Sequence, residues 1–240
     1  IHSMRAVHSE DIVRLSEIKK DNCPFHIHVS EQLKEIDECQ SFLGQRPVEW
    51  LANNLELNGD FHLVHATHLI EKEINQITTA GCNVVLCPST EGNLGDGIFP
   101  LNEFLSKNGK WSIGTDSHIG LNPLEELRIL DYGQRLITHN RNTFGNKLSG
   151  DNGQIAIESA LINGRKAMGI NQHAFFEIGK PLDAVVVSDR HPLIESTNAK
   201  NRSNTIVYSA DSSLFKGTIV NGQWAISDGI HKNNNIHACI

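Results

Sequence analysis

Four short runs of almost continuously apolar residues recur in the first half of the chain, and amphipathic segments separate them. The runs are FHIHVS (25–30), FHLVHATH (61–68), NVVLCP (83–88) and WSIGTDSH (111–118). Their length and continuity are typical of strands that are buried on both faces, and the spacers carry apolar residues three or four positions apart, as helices do. Strands and helices that alternate in this way predict an α/β fold with a parallel sheet.

The ends of the predicted helices are marked by residues that favour caps. Gly44 and Gly81 follow apolar helical patterns and suit left-handed caps, and Pro47 fits the first turn of a helix. Asn122 is predicted to cap a helix that begins at Pro123. The stretch STEGNLGDGIFP (89–100), rich in glycine and polar residues, is predicted to be a long loop.

The pattern changes after a last helix at about 155–167. Short apolar runs then alternate with turns, and Asn221-Gly222 between two such runs is a strong hairpin signal. We expect strands within FEIGKPLDAVVVSD (176–189), TIVYSA (205–210) and GTIVNGQWAISDG (217–229), with a polar loop at about 201–205. The predicted domains are 1–172, the parallel β/α part, and 173–240, a small antiparallel β part.

Candidate chemistry lies at the carboxyl ends of the four predicted parallel strands. Those ends hold His28 with Glu31, His65 with His68, Glu91 after Pro88, and Asp116 with His118. The carboxyl ends of parallel strands are where α/β folds carry their sites, so these side chains are expected to converge on a metal site. The alternative is that the histidines are ordinary hydrogen-bonded strand residues.

The net charge and the composition limit the classes of partner that the protein is expected to bind. The net charge is -7, and the basic residues form no cluster of the kind that binds nucleic-acid phosphates. No apolar stretch approaches the roughly 20 residues of a membrane span, and residue 1 opens no signal sequence. A cytoplasmic protein that acts on a small molecule, without nucleic-acid or membrane partners, is therefore expected.

The motifs resemble the amidohydrolase superfamily. GTDSH (114–118) after a strand is similar to its metal-binding strand, and the returning β segments near the C terminus are similar to its small domain. Other stretches resemble its formimidoylglutamate deiminase family, which acts in histidine degradation. They are HSMRAV (2–7), HVSEQ (28–32), GQRPVEWL (44–51), LVHATH (63–68), LCPSTEGNLGDGIFP (86–100) and EELRILDYGQRL (125–136).

The resemblance implies a metal-dependent (β/α)8 TIM barrel of which strands 5–8 are present, plus part of a small β-sandwich domain. The family's first strand carries a His-x-His pair of metal ligands, and this chain begins at the end of the fourth strand in the family's order. Four strands do not close a barrel. A truncated or split chain is therefore expected.

The resemblance also implies roles for individual residues. His28 and Asp116 would bind one zinc ion or another divalent metal, and Asp116 would accept a proton from the attacking water. His65 would polarise the group under attack, and Glu31 would protonate or orient the imino nitrogen. His26 would not reach the metal and is expected to be a core residue or a neighbour of the site.

His2 and Arg5 resemble the family's substrate contacts, and an arginine fork suits a glutamate carboxylate. The implied reaction hydrolyses N-formimino-L-glutamate to N-formyl-L-glutamate and ammonia, in a homodimer when the protein is full length. Alternatives remain open. Arg5 could be a surface salt-bridge partner and His65 a core residue, and the chain could be an aminopurine or triazine deaminase, or a fragment without activity.

Overall fold

The computed structural model describes residues 1–145, 151–170 and 176–233. The chain forms two compact units, Ile1–Gln172 and His173–Ile240. No helix in the described ranges is both long enough and apolar enough to cross a membrane.

The first unit is built on a parallel sheet. Its strands are β1 (Phe25–Val29), β2 (Phe61–His65), β3 (Asn83–Leu86) and β4 (Lys110–Ile113), hydrogen-bonded in the order β1-β2-β3-β4. The helices are α1 (Ser9–Ile18), α2 (Leu33–Leu43), α3 (Pro47–Asn54), α4 (Glu71–Ala80), α5 (Pro88–Leu94), α6 (Leu101–Ser106), α7 (Pro123–Thr138) and α8 (Asn152–Ala167). The α/β class with a parallel sheet, predicted from the alternation of runs, is confirmed.

Several predicted caps are present. Gly44 and Gly81 end α2 and α4 in the left-handed conformation, with φ of 71° and 74°. The Asn122 side chain accepts the N–H groups of Leu124 and Glu125 at 3.1 and 3.4 Å and so caps α7.

The loop predicted at 89–100 is wrong over its first part, because α5 occupies Pro88–Leu94. Pro88 lies in the first turn of this helix, where its missing N–H costs no hydrogen bond. Glu91 supports the turn by accepting the Cys87 N–H at 2.8 Å. The glycines and polar residues of this segment favoured a solvated loop in the prediction, but three of the polar side chains are buried in the helix: Ser89, Thr90 and Glu91.

α8 contacts residues near the beginnings of the parallel strands. The Asn163 side chain donates to the Trp111 carbonyl oxygen at 2.9 Å, and His26 Nε2 donates to the Ala167 carbonyl oxygen at 2.8 Å. His26 also stacks on His62, with ring centroids 4.8 Å apart. The expectation that His26 is a core residue is wrong: β1 is a sheet edge in the described chain, and the His26 side chain is exposed there.

The second unit contains an antiparallel sheet. Its strands are β5 (Ala184–Val187), β6 (Phe215–Val220), β7 (Gln223–Ser227) and β8 (Ile230–His231), in the order β5-β6-β7-β8, and α9 (Pro192–Glu195) and α10 (Arg202–Ser209) lie between β5 and β6 in sequence. Asn221 and Gly222 form the predicted hairpin turn with φ of 50° and 77°.

The predicted strand TIVYSA and the polar loop at 201–205 are wrong, because α10 covers most of both. The β-branched residues of this segment favour strands in isolation. Packing overrides that preference: Val207 is fully buried in the helix, and Thr205 lies 3.1 Å from Thr197 through their hydroxyl oxygens.

The lowered pKa of His62 predicts how the free energy of unfolding of the first unit depends on pH. Burial, and then the positive charges of His26 and Lys166, lower its pKa from 6.5 to about 4. The folded state therefore disfavours the imidazolium, so stability is complete above pH 6.5 and falls as the pH drops toward 4, by up to about 3 kcal/mol for this one group.

Urea denaturation between pH 4 and pH 7.5 measures this effect. His62→Leu removes the titrating ring without leaving a buried polar atom, and we expect it to flatten the loss of stability at low pH. His26→Leu, at the exposed ring stacked on His62, is the matched control and should keep most of the slope. Equal slopes in the wild type and His62→Leu would contradict the assignment.

Candidate metal centre

Three side chains converge at the carboxyl edge of the parallel sheet. His28 is the fourth residue of β1, His65 ends β2, and Asp116 follows β4. One ligand atom from each lies within 4.8 Å of the other two. The parallel register explains this convergence, because it places the ends of neighbouring strands side by side.

The backbone at these strand ends is unusual. Ser30, His65, Ala66 and Asp116 all have positive φ, between 50° and 67°, a conformation that residues other than glycine rarely adopt. Such residues concentrate at functional sites, where the surrounding structure holds them. They turn the chain sharply at the edge where the three side chains meet.

His28 is oriented by the segment before α1. Its Nδ1 lies 2.6 Å from the His2 carbonyl oxygen, and a carbonyl oxygen only accepts, so Nδ1 carries the proton of this bond. Nε2 then faces Asp116 Oδ2 at 3.2 Å and is the atom available to a metal. The exposed His2 ring stacks on His28 at 4.8 Å, and Ser3 forms a parallel bridge with His28.

His65 is fully buried among carboxylates. Its Nδ1 lies 3.2 Å from Glu91 Oε1, while Nε2 lies 3.4 Å from Asp116 Oδ2 and 3.6 Å from Glu31 Oε1. Nε2 is buried and makes no hydrogen bond within the described residues. Burial alone would lower the pKa of His65, but the hydrogen bond with Glu91 and the charges of Glu31, Glu91 and Asp116 outweigh it and raise the pKa.

Asp116 is held in its ionised form. Burial opposes ionisation, yet the backbone N–H of Ser117 and the nearby His28 and His65 rings outweigh burial and lower the pKa of Asp116. An ionised carboxylate is suited both to bind a cation and to accept a proton. The side chain is 20% exposed, so water reaches it.

Arg5 makes a close salt bridge with Glu31 and lies 3.9 Å from Glu35. The alternative that Arg5 serves as a salt-bridge partner is therefore realised in the structure. These contacts use Nη2 and Nε, and a guanidinium has five N–H donors. The Arg5 side chain is 30% exposed, which leaves room for a further anionic partner.

Sequence reasoning missed Glu35, a buried carboxylate that shapes the site, and placed Glu91 at a strand end without a role of its own. Glu35 accepts the N–H groups of Ser30 and Glu31 at 2.9 and 3.0 Å, and burial raises its pKa. Glu91 Oε1 lies 3.2 Å from His65 Nδ1. The signal for Glu91 was Pro88 three residues earlier, which marks the first turn of a helix rather than a loop.

His68 and His118 do not join the converging group. His118 Nδ1 accepts the Gly120 N–H at 3.0 Å, and the backbone N–H of His118 donates to Thr90 Oγ1 at 3.2 Å. The His68 N–H donates to the Ser30 carbonyl oxygen at 3.1 Å. The His118 ring is thus bonded within its own loop, whereas His68 Nε2 is buried and makes no hydrogen bond within the described residues.

The converging atoms fit a divalent metal. Two imidazole nitrogens and a carboxylate oxygen are donors that Zn²⁺ uses at catalytic sites, where a fourth position is left for water. The Nε2 of His65 supports this fit, because it is buried and makes no hydrogen bond within the described residues, which is costly unless something binds it.

The comparisons with known proteins agree with this geometry. Residues 1–225 match the model of the amidohydrolase family. The chain belongs to the amidohydrolase family. It is 36% identical to formimidoylglutamate deiminase from Pseudomonas aeruginosa, over 96% of this chain and 51% of that protein. It is 29% identical to a 5-methylthioadenosine/S-adenosylhomocysteine deaminase from Thermodesulfovibrio yellowstonii, over 96% and 52%.

Two solved structures share the fold. An amidohydrolase from Brucella melitensis superposes with a TM-score of 0.87 at 31% identity, over 99% of this chain and 52% of that one. A zinc-bound adenosine deaminase from Xanthomonas campestris superposes with a TM-score of 0.85 at 20% identity, over 99% and 53%. This amidohydrolase chain thus spans about half the length of the relatives it matches.

Removing a ligand should weaken metal binding sharply. Loss of a residue that merely supports a ligand costs about 10- to 100-fold in metal affinity, so His28→Ala should cost at least about 100-fold. Competition with a chromophoric zinc chelator measures the affinity. His118→Ala is the matched control, since the bonds of this histidine within the described residues are to the loops beside it, and it should keep the wild-type affinity; equal losses would contradict the site.

Proposed function

We propose that the first unit is half of a metal-dependent (β/α)8 barrel, with β1 to β4 as barrel strands 5–8, and that the second unit is part of a small β-sandwich domain. The order of four parallel strands supports this assignment. So does the parallel bridge from Ser3 to His28, which lies where the end of a fourth barrel strand would pair. The remaining strands would come from residues outside these 240.

The activity best supported is hydrolytic deimination of N-formimino-L-glutamate to N-formyl-L-glutamate and ammonia. One observation carries it: Asp116, His65 and Glu31 surround one position at the strand ends, and Arg5 contacts Glu31 beside them. Acid–base groups and a guanidinium thus lie together, as an amidine substrate with carboxylates requires. The likeness to formimidoylglutamate deiminase supports the same choice.

His28, His65 and Asp116 would hold the metal, for which zinc is the proposed ion. When bound, the ion would supply Lewis-acid chemistry and make a water easier to deprotonate. Asp116 accepts the proton of the attacking water, which its lowered pKa permits, and the water oxygen bonds to the formimino carbon. That proton is then available for the leaving nitrogen.

Glu31 faces the opposite side of this position, 3.6 Å from His65 Nε2. It takes up the second proton of the attacking water and delivers it to the imino nitrogen, so that the carbon–nitrogen bond breaks and ammonia leaves. His65 directs only Nε2 at this position, so where that atom binds the metal it does not contact the substrate; where it instead carries a proton, its N–H would polarise the group under attack, the role that the resemblance implies. Each proton taken from water thus ends on nitrogen, and the carbon keeps the water oxygen as the formyl group.

Arg5 and His2 would bind the glutamate part of the substrate. A guanidinium offers paired N–H donors that match a carboxylate, and Arg5 is partly exposed beside Glu31. The exposed ring of His2 lies over His28 and therefore borders the same position.

A second candidate is a deaminase of the aminopurine type, favoured by the 29% identity to the 5-methylthioadenosine/S-adenosylhomocysteine deaminase. A neutral ring substrate offers no carboxylate for Arg5 to bind, so Arg5 would contact Glu31 but not the substrate. A third is a fragment without activity, since the family's first-strand ligands have no counterpart in the motif order of this chain. The homodimer expected for the full-length protein stays a prediction.

Arg5→Ala tests the substrate class in the full-length enzyme. Loss of a charged hydrogen bond to the substrate should lower kcat/KM for N-formimino-L-glutamate about 10- to 100-fold. N-propylformamidine has the amidine without carboxylates and is the control substrate, for which the variant should equal the wild type. Unchanged turnover of N-formimino-L-glutamate would overturn the substrate assignment, and equal losses on both substrates would mean that Arg5 acts only through Glu31.

The 240-residue chain alone should bind zinc weakly and release little ammonia, because the half-barrel leaves the metal position open to solvent. Metal analysis and an ammonia-release assay measure both quantities. Addition of a chain that carries the other four strands should raise both. Stoichiometric zinc and full turnover by the isolated chain would contradict the half-barrel proposal.

A further inference from the structure

Glu91 is the residue that contacts His65 on the side away from the converging ligand atoms. Its Oε1 lies 3.2 Å from His65 Nδ1, while His65 Nε2 faces Asp116 and Glu31. Glu91 is 4% exposed, and His65 is fully buried. The two nitrogens of this ring therefore have different surroundings, one fixed by Glu91 and the other directed at the proposed reacting position.

The same oxygen of Glu91 also accepts the Cys87 N–H, at 2.8 Å. A backbone N–H can only donate, so it requires an acceptor at this position. The α5 helix carries Glu91 and Cys87 precedes it, which fixes this oxygen relative to the end of β3. The atom that faces His65 Nδ1 is thus an acceptor for a reason independent of His65.

We propose that Glu91 is a positioning residue that keeps a proton on His65 Nδ1 and reserves Nε2 for the site. An acceptor opposite Nδ1 selects the form of the ring in which Nδ1 is protonated. Every proton or ligand that His65 exchanges then passes through Nε2. The inference deepens the proposed function and rests on it for the meaning of Nε2, but the state of Nδ1 is measurable without any activity.

Nitrogen-15 NMR of the histidine side chains measures the protonation of Nδ1 directly. The chain is labelled at its histidines, freed of metal with a chelator and studied at a pH high enough for the His65 Nε2 signal to show no proton, because the pKa of this ring is raised above that of a free imidazole. The His65 signal is identified by its loss in His65→Asn. We expect a protonated Nδ1 in the wild type, and an unprotonated Nδ1 would overturn the proposal.

Three variants separate positioning from structure. Glu91→Met keeps the length of the side chain but offers no oxygen, so the preference for a protonated Nδ1 should be lost. Glu91→Gln should preserve it, because the Cys87 N–H holds the amide oxygen in the same place. Glu126→Met is the matched control: Glu126 is equally buried and accepts the Ser89 N–H of α5 at 2.9 Å, so its hydrogen bond is to α5 and not to His65.

The control should leave Nδ1 protonated. Should Glu91→Met keep the wild-type signal, Glu91 does not select the state of His65 and the proposal fails. Should Glu91→Met not fold, the wild type and Glu91→Gln still decide, since an unprotonated Nδ1 in either contradicts the proposal. In the full-length enzyme, Glu91→Met should lower kcat about 10- to 100-fold, and Glu91→Gln should recover most of it.

If the enzyme releases no ammonia from N-formimino-L-glutamate, the proposed function fails while the NMR result stands by itself. If the enzyme is active but Nδ1 is unprotonated, the positioning role fails and the function survives. The two proposals are therefore tested separately.

Discussion

Buried carboxylates that accept backbone N–H groups hold the carboxyl edge of the sheet in shape. Glu35 binds the two N–H groups that follow β1, Glu91 binds the one before α5, and Glu73 accepts the Ile70 N–H at the start of α4. A chain that leaves a strand and enters a helix exposes N–H groups without partners, and a carboxylate satisfies them strongly. The left-handed residues at these exits are tolerated because such bonds fix the turns.

The elements could be predicted where local chemistry and packing agree. FHIHVS and FHLVHATH are apolar enough to be buried strands in most contexts. Gly81 ends a helix because its backbone adopts the left-handed conformation, and Asn122 begins one because its side chain accepts backbone N–H groups. The convergence of His28, His65 and Asp116 followed from one topological rule, that parallel strands end at the same edge. That part of the site needed no knowledge of side-chain contacts.

The other elements and site residues depend on tertiary contacts that cannot be read from the sequence. Glu35 and Glu91 act on backbone N–H groups, which every residue but proline carries, so no residue pattern marks the partner. The segment that forms α10 of the second unit is helical although its β-branched residues favour strands, because burial of Val207 outweighs that preference. His26 shows the opposite case, since a correct strand placement did not reveal that its face would be exposed.

The cluster around His65 must also balance its charge. Glu31, Glu91 and Asp116 lie within 3.2 to 3.6 Å of the ring, and Arg5 is bonded to Glu31 alone of these three. Protonation of Nε2 adds one positive charge, which agrees with the raised pKa of His65. A divalent cation held by His28, His65 and Asp116 would add two positive charges and would require Nε2 without a proton. Proton and metal are thus alternative occupants of the same nitrogen, so the carboxylates that favour one also favour the other, and the pH decides between them.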